Sequence, residues 1–186
     1  MAIQLQRYLF TAAEYHRMAQ AGIFGEDDRV ELIEGEIVEM TPIGSRHAAC
    51  VDRLAQLAFE RVSGRAIVRI QNPIQMGEHS EPQPDLALLR PRSDFYAPAH
   101  PGPEDVLLIV EVAETSIEYD RDVKVRLYAR AGIAEVWLVD LAGEGVEVYR
   151  RPVPQGYQEV QRLERGQRVS SHAVSDLELT VDEILG

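Results

Sequence analysis

Apolar and polar residues recur along the chain at two different periods, and the change from one to the other separates helices from strands. Thr11 followed by Glu14 has the form of a capping box. It predicts a short helix through Tyr15 and Met18 that stops near Gly22. Val30 and Leu32 on one side, and residues 37–40 on the other, flank Glu34-Gly35, a pair suited to a tight turn between two short strands. Ser45 then caps a longer helix to about Val62. In it His47, Val51, Leu54, Ala55, Ala58 and Val62 fall on one face at helical spacing, and that face must pack on a sheet or another helix.

Beyond residue 65 the period shortens. Residues 66–75, 84–89 and 106–113 read as strands, separated by Pro- and Gly-rich turns such as 98–103. A helix over 120–131 ends at Gly132, and a strand over 135–141 leaves it directly. Strands at 145–151 and 157–163 form a hairpin around 152–156, and the tail from Leu177 to Leu185 ends apolar. From residue 46 to 141 the order is helix, three strands, helix, strand. This is an α/β (α+β) arrangement with a mixed sheet flanked by helices, an N-terminal helix and hairpin, and a C-terminal β-hairpin.

A chain of 186 residues with 45% apolar content can bury a real core, and the expectation is one domain over 1–186. The lone cysteine, Cys50, excludes an internal disulfide and any zinc site built of several thiolates, and suits the cytoplasm. No apolar run is long enough for a membrane span, so a soluble protein is expected. The net charge of −12 argues against a protein that coats nucleic acid electrostatically. It does not exclude an enzyme that gathers carboxylates around a divalent cation, because the metal then supplies the charge that meets a phosphate. Among 19 basic residues only Lys124 is lysine. Lysine offers a compact charge that approaches a single oxygen closely, which arginine does not.

Glu111 is the anomaly of the strand 106–113. An ionised carboxylate among such neighbours must be paired, protonated or bound to a metal. Asp85 repeats the theme by opening another apolar strand, where it could instead cap a turn. Neighbouring strands would bring both carboxylates within reach of one hard cation that prefers oxygen ligands. On the next helix Lys124 shares a stripe with Asp120, Leu127 and Tyr128, which points the only lysine toward the sheet that holds the acids. Asp120 reads as the helix cap and as a partner for Lys124.

These residues resemble the PD-(D/E)XK nuclease superfamily, and within it the Uma-type restriction endonuclease branch. The resemblance rests on an ordered series: residues 31–36 (Glu-Leu-Ile-Glu-Gly-Glu), His47, Pro84-Asp85, Val110-Glu111-Val112, then Asp120, Lys124, Tyr128 and residues 131–137. It covers nearly the whole chain. One position departs: two residues after Glu111, where the superfamily motif has lysine, the chain has Ala113. In the Uma-type branch the lysine lies on the following helix, which Lys124 satisfies.

The resemblance implies a restriction-endonuclease-like core and a metal-dependent endonuclease acting on DNA. In it Asp85, Glu111 and the backbone carbonyl of Val112 hold Mg2+ or Mn2+, and Lys124 orients the nucleophile. Glu34 is implied as a further site carboxylate, though a turn acid is ordinarily just solvated. His47 and Tyr128 are possible supports, with Tyr128 expected to act on Lys124. His47 could equally be satisfied by a backbone carbonyl. The same resemblance suggests a homodimer, since cutting both strands needs two sites. A basic groove drawing on Arg46, Arg121 and Arg126 would favour DNA. Two alternatives stay open: a nuclease-fold binding module without turnover, and a hydrolase of another phosphate ester. His16, His79, His100 and His172 have no acidic spacing that suggests ligation.

Overall fold

The computed structural model describes residues 7–25, 27–62 and 64–186. The capping box at Thr11 and Glu14 forms and opens helix α1 (Ala12–Gln20). Strands β1 (Val30–Ile33) and β2 (Glu36–Glu39) pair antiparallel around Glu34 and Gly35. Both turn residues have positive φ, 50° and 81°, the signature of a tight turn whose twist matches its strands. A side chain at position 35 would meet the Leu9 backbone, so glycine is required there.

Helix α2 (Ser45–Val62) follows, then β3 (Ile67–Ile70), β4 (Leu86–Leu89) and β5 (Val106–Ala113). A helical segment comes next, made of α3 (Ile117–Tyr119), a π-helical turn (Asp120–Lys124) and α4 (Val125–Arg130). Strands β6 (Glu135–Asp140), β7 (Gly145–Val153) and β8 (Gly156–Glu164) complete a six-stranded mixed sheet in the order β3-β4-β5-β6-β7-β8. Only β5 and β6 pair in parallel, because the helical segment crosses over between them. The chain closes with a small pair, β9 (Arg168–Ser170) and β10 (Glu178–Thr180), and helix α5 (Val181–Leu185). Among the described residues no helix is long and apolar enough to cross a membrane.

The sheet is covered on both faces, and β5 shows how. Leu108, Val110 and Val112 join the core under α2 with Leu54, Ala58 and Trp137. Ile109 and Ala113 join the opposite core with Val125, Tyr128 and Ile133. Strand alternation therefore sends Glu111 to the face covered by the helical segment.

Two local expectations are corrected. The strand foreseen over 66–75 stops at Ile70, because Gln71 turns to φ 50° and Pro73, Pro82 and Pro84 cannot donate to a ladder. The helix foreseen from Asp120 begins at Ile117, so Asp120 lies inside the helical segment and is not its cap. The tail from Leu177 supplies β10, which pairs with β9, and then α5, opened by a second capping box of Thr180 with Glu183.

Candidate active site

Antiparallel pairing sets Leu86 opposite Val110, and continuing that register by one residue sets Asp85 opposite Glu111. The two acids thus arise at the same level of adjacent chains. The Asp85 backbone N–H donates to Glu111 Oε2 at 3.4 Å, and the Val112 N–H donates to Asp85 Oδ2 at 2.9 Å. Asp85 also accepts from the Gln71 side-chain amide at 3.1 Å, and its Oδ2 lies 3.0 Å from His47 Nε2 at the start of α2. Burial alone would raise the Asp85 carboxyl, but His47, Val112 N–H and Gln71 together bring it below its ordinary value. The hydrogen bond to Asp85 in turn raises His47 against the effect of burial. His47 Nδ1 is buried and has no hydrogen-bond partner among the described residues.

Lys124 is 5% exposed, with Nζ 3.0 Å from Glu111 Oε1 and 3.4 Å from Glu31 Oε2. It is placed by the π turn, in which the Val125 N–H reaches back to the Asp120 carbonyl. Such turns add a residue to a helix, and they concentrate at functional sites. Both Asp120 and Lys124 are buried within it. One turn on, the Tyr128 hydroxyl donates to Glu111 Oε1.

Asp85, Glu111, Glu31 and Asp120 therefore share one cleft with the Lys124 ammonium and the His47 imidazole, and Glu39, Glu114 and Arg29 also line it. Burial pushes the Glu111 carboxyl up to about 8, with Lys124 opposing the rise and Asp85 adding to it. Burial would lower Lys124, but Glu111 and then Glu31 and Asp120 hold it well above its ordinary value. Burial raises Asp120 as well, against the hydrogen bond it accepts from Ser116 Oγ at 2.5 Å. The cleft has a volume of about 360 Å³. Its excess of carboxylates and its all-oxygen donors, Asp85, Glu111 and the Val112 carbonyl, fit a hard divalent cation such as Mg2+ or Mn2+.

Asp85, Glu111, Val112, Lys124, His47 and Asp120 all line the cleft. Glu34 does not: its side chain is exposed at the hairpin turn and pairs with Arg130 at 2.5 Å. The N-terminal carboxylate in the cleft is Glu31, 3% exposed, which also accepts from the Gln83 N–H at 3.1 Å. Its sequence signal was the one that marked Glu111, an acid inside an apolar strand. Tyr128 is buried as the stripe requires, but it holds Glu111 rather than Lys124. The groove expected of Arg46, Arg121 and Arg126 does not form. Arg121 grips Glu147 on β7 through two hydrogen bonds, Arg126 pairs with Asp122, and Arg46 lies 3.6 Å from Glu114 at the rim.

Among curated proteins none matches the chain in sequence. Among solved structures, one described as a putative nuclease belonging to DUF820, from Anabaena variabilis ATCC 29413, superposes with a TM-score of 0.72 at 18% identity. The match covers 95% of this chain and 97% of that one, so the two share a fold. Residues 12–182 match the family Uma2, described as "Putative restriction endonuclease". That match spans both the N-terminal hairpin with Glu31 and the helical segment with Lys124, and the chain accordingly belongs to the Uma2 family, within the nuclease fold its sequence resembles.

Proposed function

We propose that the chain is a metal-dependent endonuclease that hydrolyses phosphodiester bonds of DNA in the cleft between β5 and the helical segment. The observation that carries this reading is the convergence of Asp85 and Glu111, from opposed positions on adjacent chains, with the only lysine of the protein seated on Glu111. Asp85, Glu111 and the Val112 carbonyl would hold the ion. Mg2+ or Mn2+ bound there would supply Lewis acidity at the phosphate and make water a better nucleophile. His47 fixes the Asp85 carboxylate through Oδ2, and Tyr128 fixes Glu111 through Oε1. Lys124, anchored between Glu111 and Glu31, orients the attacking water and offsets the charge that builds on the phosphoryl oxygens. Its compact ammonium suits that task better than a guanidinium fork.

DNA as substrate draws support from the family's description. The commitment of Arg121 and Arg126 to ion pairs favours a second reading, hydrolysis of a smaller phosphate ester, which needs no basic groove. A cytoplasmic enzyme agrees with the free, buried thiol of Cys50, and a homodimer would supply the two sites that a double-strand cut requires. Light scattering with and without duplex DNA tests the dimer.

The central experiment is calorimetric titration of Mg2+ and Mn2+ into the wild type, Asp85→Ala and Glu111→Ala, with plasmid, single-stranded DNA and a small aryl phosphodiester assayed alongside. Metal binding in the wild type that both variants lose, together with metal-dependent plasmid cleavage, is the expected result. A folded wild type that binds neither ion would sink the metal centre. Turnover of the small ester without DNA cleavage would move the assignment to the second reading.

A further inference from the structure

Outside the cleft, His16, Glu81 and His100 come together from three separate segments. His16 lies on α1, Glu81 on the irregular run before β4, and His100 on the turn before the 3-10 helix Pro103–Asp105. One ligand atom from each falls within 4.8 Å of the other two. His16 Nε2 sits 2.8 and 2.9 Å from the two Glu81 oxygens, and the rings of His16 and His100 approach edge-on with centroids 6.0 Å apart. We infer that these three side chains form a second metal site, selective for a borderline divalent cation such as Zn2+.

Glu81 is 3% exposed, yet among the described residues no Lys or Arg pairs with it, and His16 is the only side chain hydrogen-bonded to it. A carboxylate taken out of water demands a positive partner, which a divalent cation supplies more fully than a single imidazole does. A cation in place of the Nε2 hydrogen of His16 would neutralise the carboxylate and exchange the two hydrogen bonds for coordination by His16 and Glu81, with His100 as third ligand. Two imidazole nitrogens and one carboxylate oxygen are the donor set of zinc rather than magnesium. Zn–N and Zn–O bonds of about 2.0–2.2 Å place tetrahedral donors roughly 3.4 Å apart, so His16 and Glu81, now 2.8 Å apart, would open slightly to admit the ion, and His100 lies within 4.8 Å of both. His100 is exposed, which leaves a fourth position open to water. His79, though near in sequence, does not join the cluster, because its Nδ1 is taken by the Phe10 carbonyl at 2.9 Å.

The position gives such an ion a purpose. The Glu81 N–H donates to the Leu32 carbonyl at 2.7 Å, and the next residue back on β1 is Glu31, the carboxylate on Lys124. An ion at Glu81 would brace α1, the turn at residue 100 and the strand that delivers Glu31.

The test is Zn2+ competition against a chromophoric chelator, using tag-free, metal-stripped protein in excess Mg2+. It is run on the wild type, Asp85→Ala, His16→Ala and His100→Ala. Wild type and Asp85→Ala should each bind one equivalent, and loss of either histidine should weaken binding by about 10- to 100-fold or more. His100 is exposed, so its variant keeps the fold and reports on ligation alone. Circular dichroism confirms the folding of His16→Ala. Absence of stoichiometric zinc in the wild type overturns the inference. So does zinc binding that survives in His100→Ala or disappears only in Asp85→Ala.

Discussion

Replacing Lys124 with methionine keeps a long unbranched side chain and removes the charge, so its effect is close to a pure electrostatic one. The ammonium lies within 3.4 Å of Glu31 and 3.0 Å of Glu111, and none of the three is more than 5% exposed. Taking away one partner of a buried ion pair costs about 3–5 kcal/mol. Below about pH 8 the Glu111 carboxyl is already protonated in the folded protein, so there the variant forfeits chiefly the pair with Glu31, and above it both pairs. The folded state holds this proton up to about pH 8, whereas the unfolded chain releases it near its ordinary value of 4.5. On Glu111's account, stability is therefore fullest below that lower value, falls as pH rises toward 8, and is level beyond. Lys124→Met should accordingly lose about 3 kcal/mol at roughly pH 6 and about 5 kcal/mol at roughly pH 9. At about 2–4 °C per kcal/mol for a chain of this size, the melting point should fall by about 6–12 °C in the first case and more in the second. Mg2+ at about a hundred times its dissociation constant contributes about 2.7 kcal/mol, so it should restore much of the loss if the metal takes over as counter-ion. Thermal unfolding by circular dichroism, in chelator and in Mg2+ at both pH values, reads all of this. A variant that melts within a degree of wild type in chelator at the higher pH would refute the reasoning.

Glu31→Gln should cut nuclease turnover by loosening Lys124, while Glu34→Ala should leave turnover unchanged and shift stability by less than about 1 kcal/mol, as expected of an exposed pair with Arg130. Equal effects on plasmid cleavage from the two variants would contradict the geometry. Tyr128→Phe removes a buried donor from Glu111 and should cost about 1–3 kcal/mol in urea unfolding, with weakened Mg2+ binding by calorimetry. An unchanged metal affinity would show that the hydroxyl does not position Glu111. Arg121→Ala should lower stability by about 1–3 kcal/mol through its lost bonds to Glu147 and leave DNA affinity intact. A selective loss of DNA binding in a fully folded variant would place Arg121 in a nucleic-acid groove after all.

What the sequence made legible follows the range of the interactions concerned. The strand at 106–113 was readable to the residue, because one charge in an eight-residue apolar run has few alternatives. The helix face of α2 was readable for the same reason, through spacing alone. Asp85 was readable as an acid of the candidate cleft, but its place just before β4 depends on Gln71 and the prolines of the preceding run, which end the neighbouring strand early. Glu31 carried the right signal and was passed over for Glu34, since only the seating of β1 against Glu81 decides which acid of that hairpin faces Lys124. The partners of Arg121 and the meeting of His16 with Glu81 span 26 and 65 residues, and no local pattern encodes them.

The π turn over Asp120–Lys124 makes the site sensitive to chain length as well as to residue identity. A helix advances about 100° per residue, so deleting one residue there would restore regular α geometry and swing everything before the cut by roughly that angle relative to Tyr128. Asp120 and the turn behind it would leave the acids even though every chemical group was still present. Two sequences with the same Asp, Glu, Lys and Tyr, but one residue more or fewer across this stretch, would thus agree in composition and differ in whether those groups can meet.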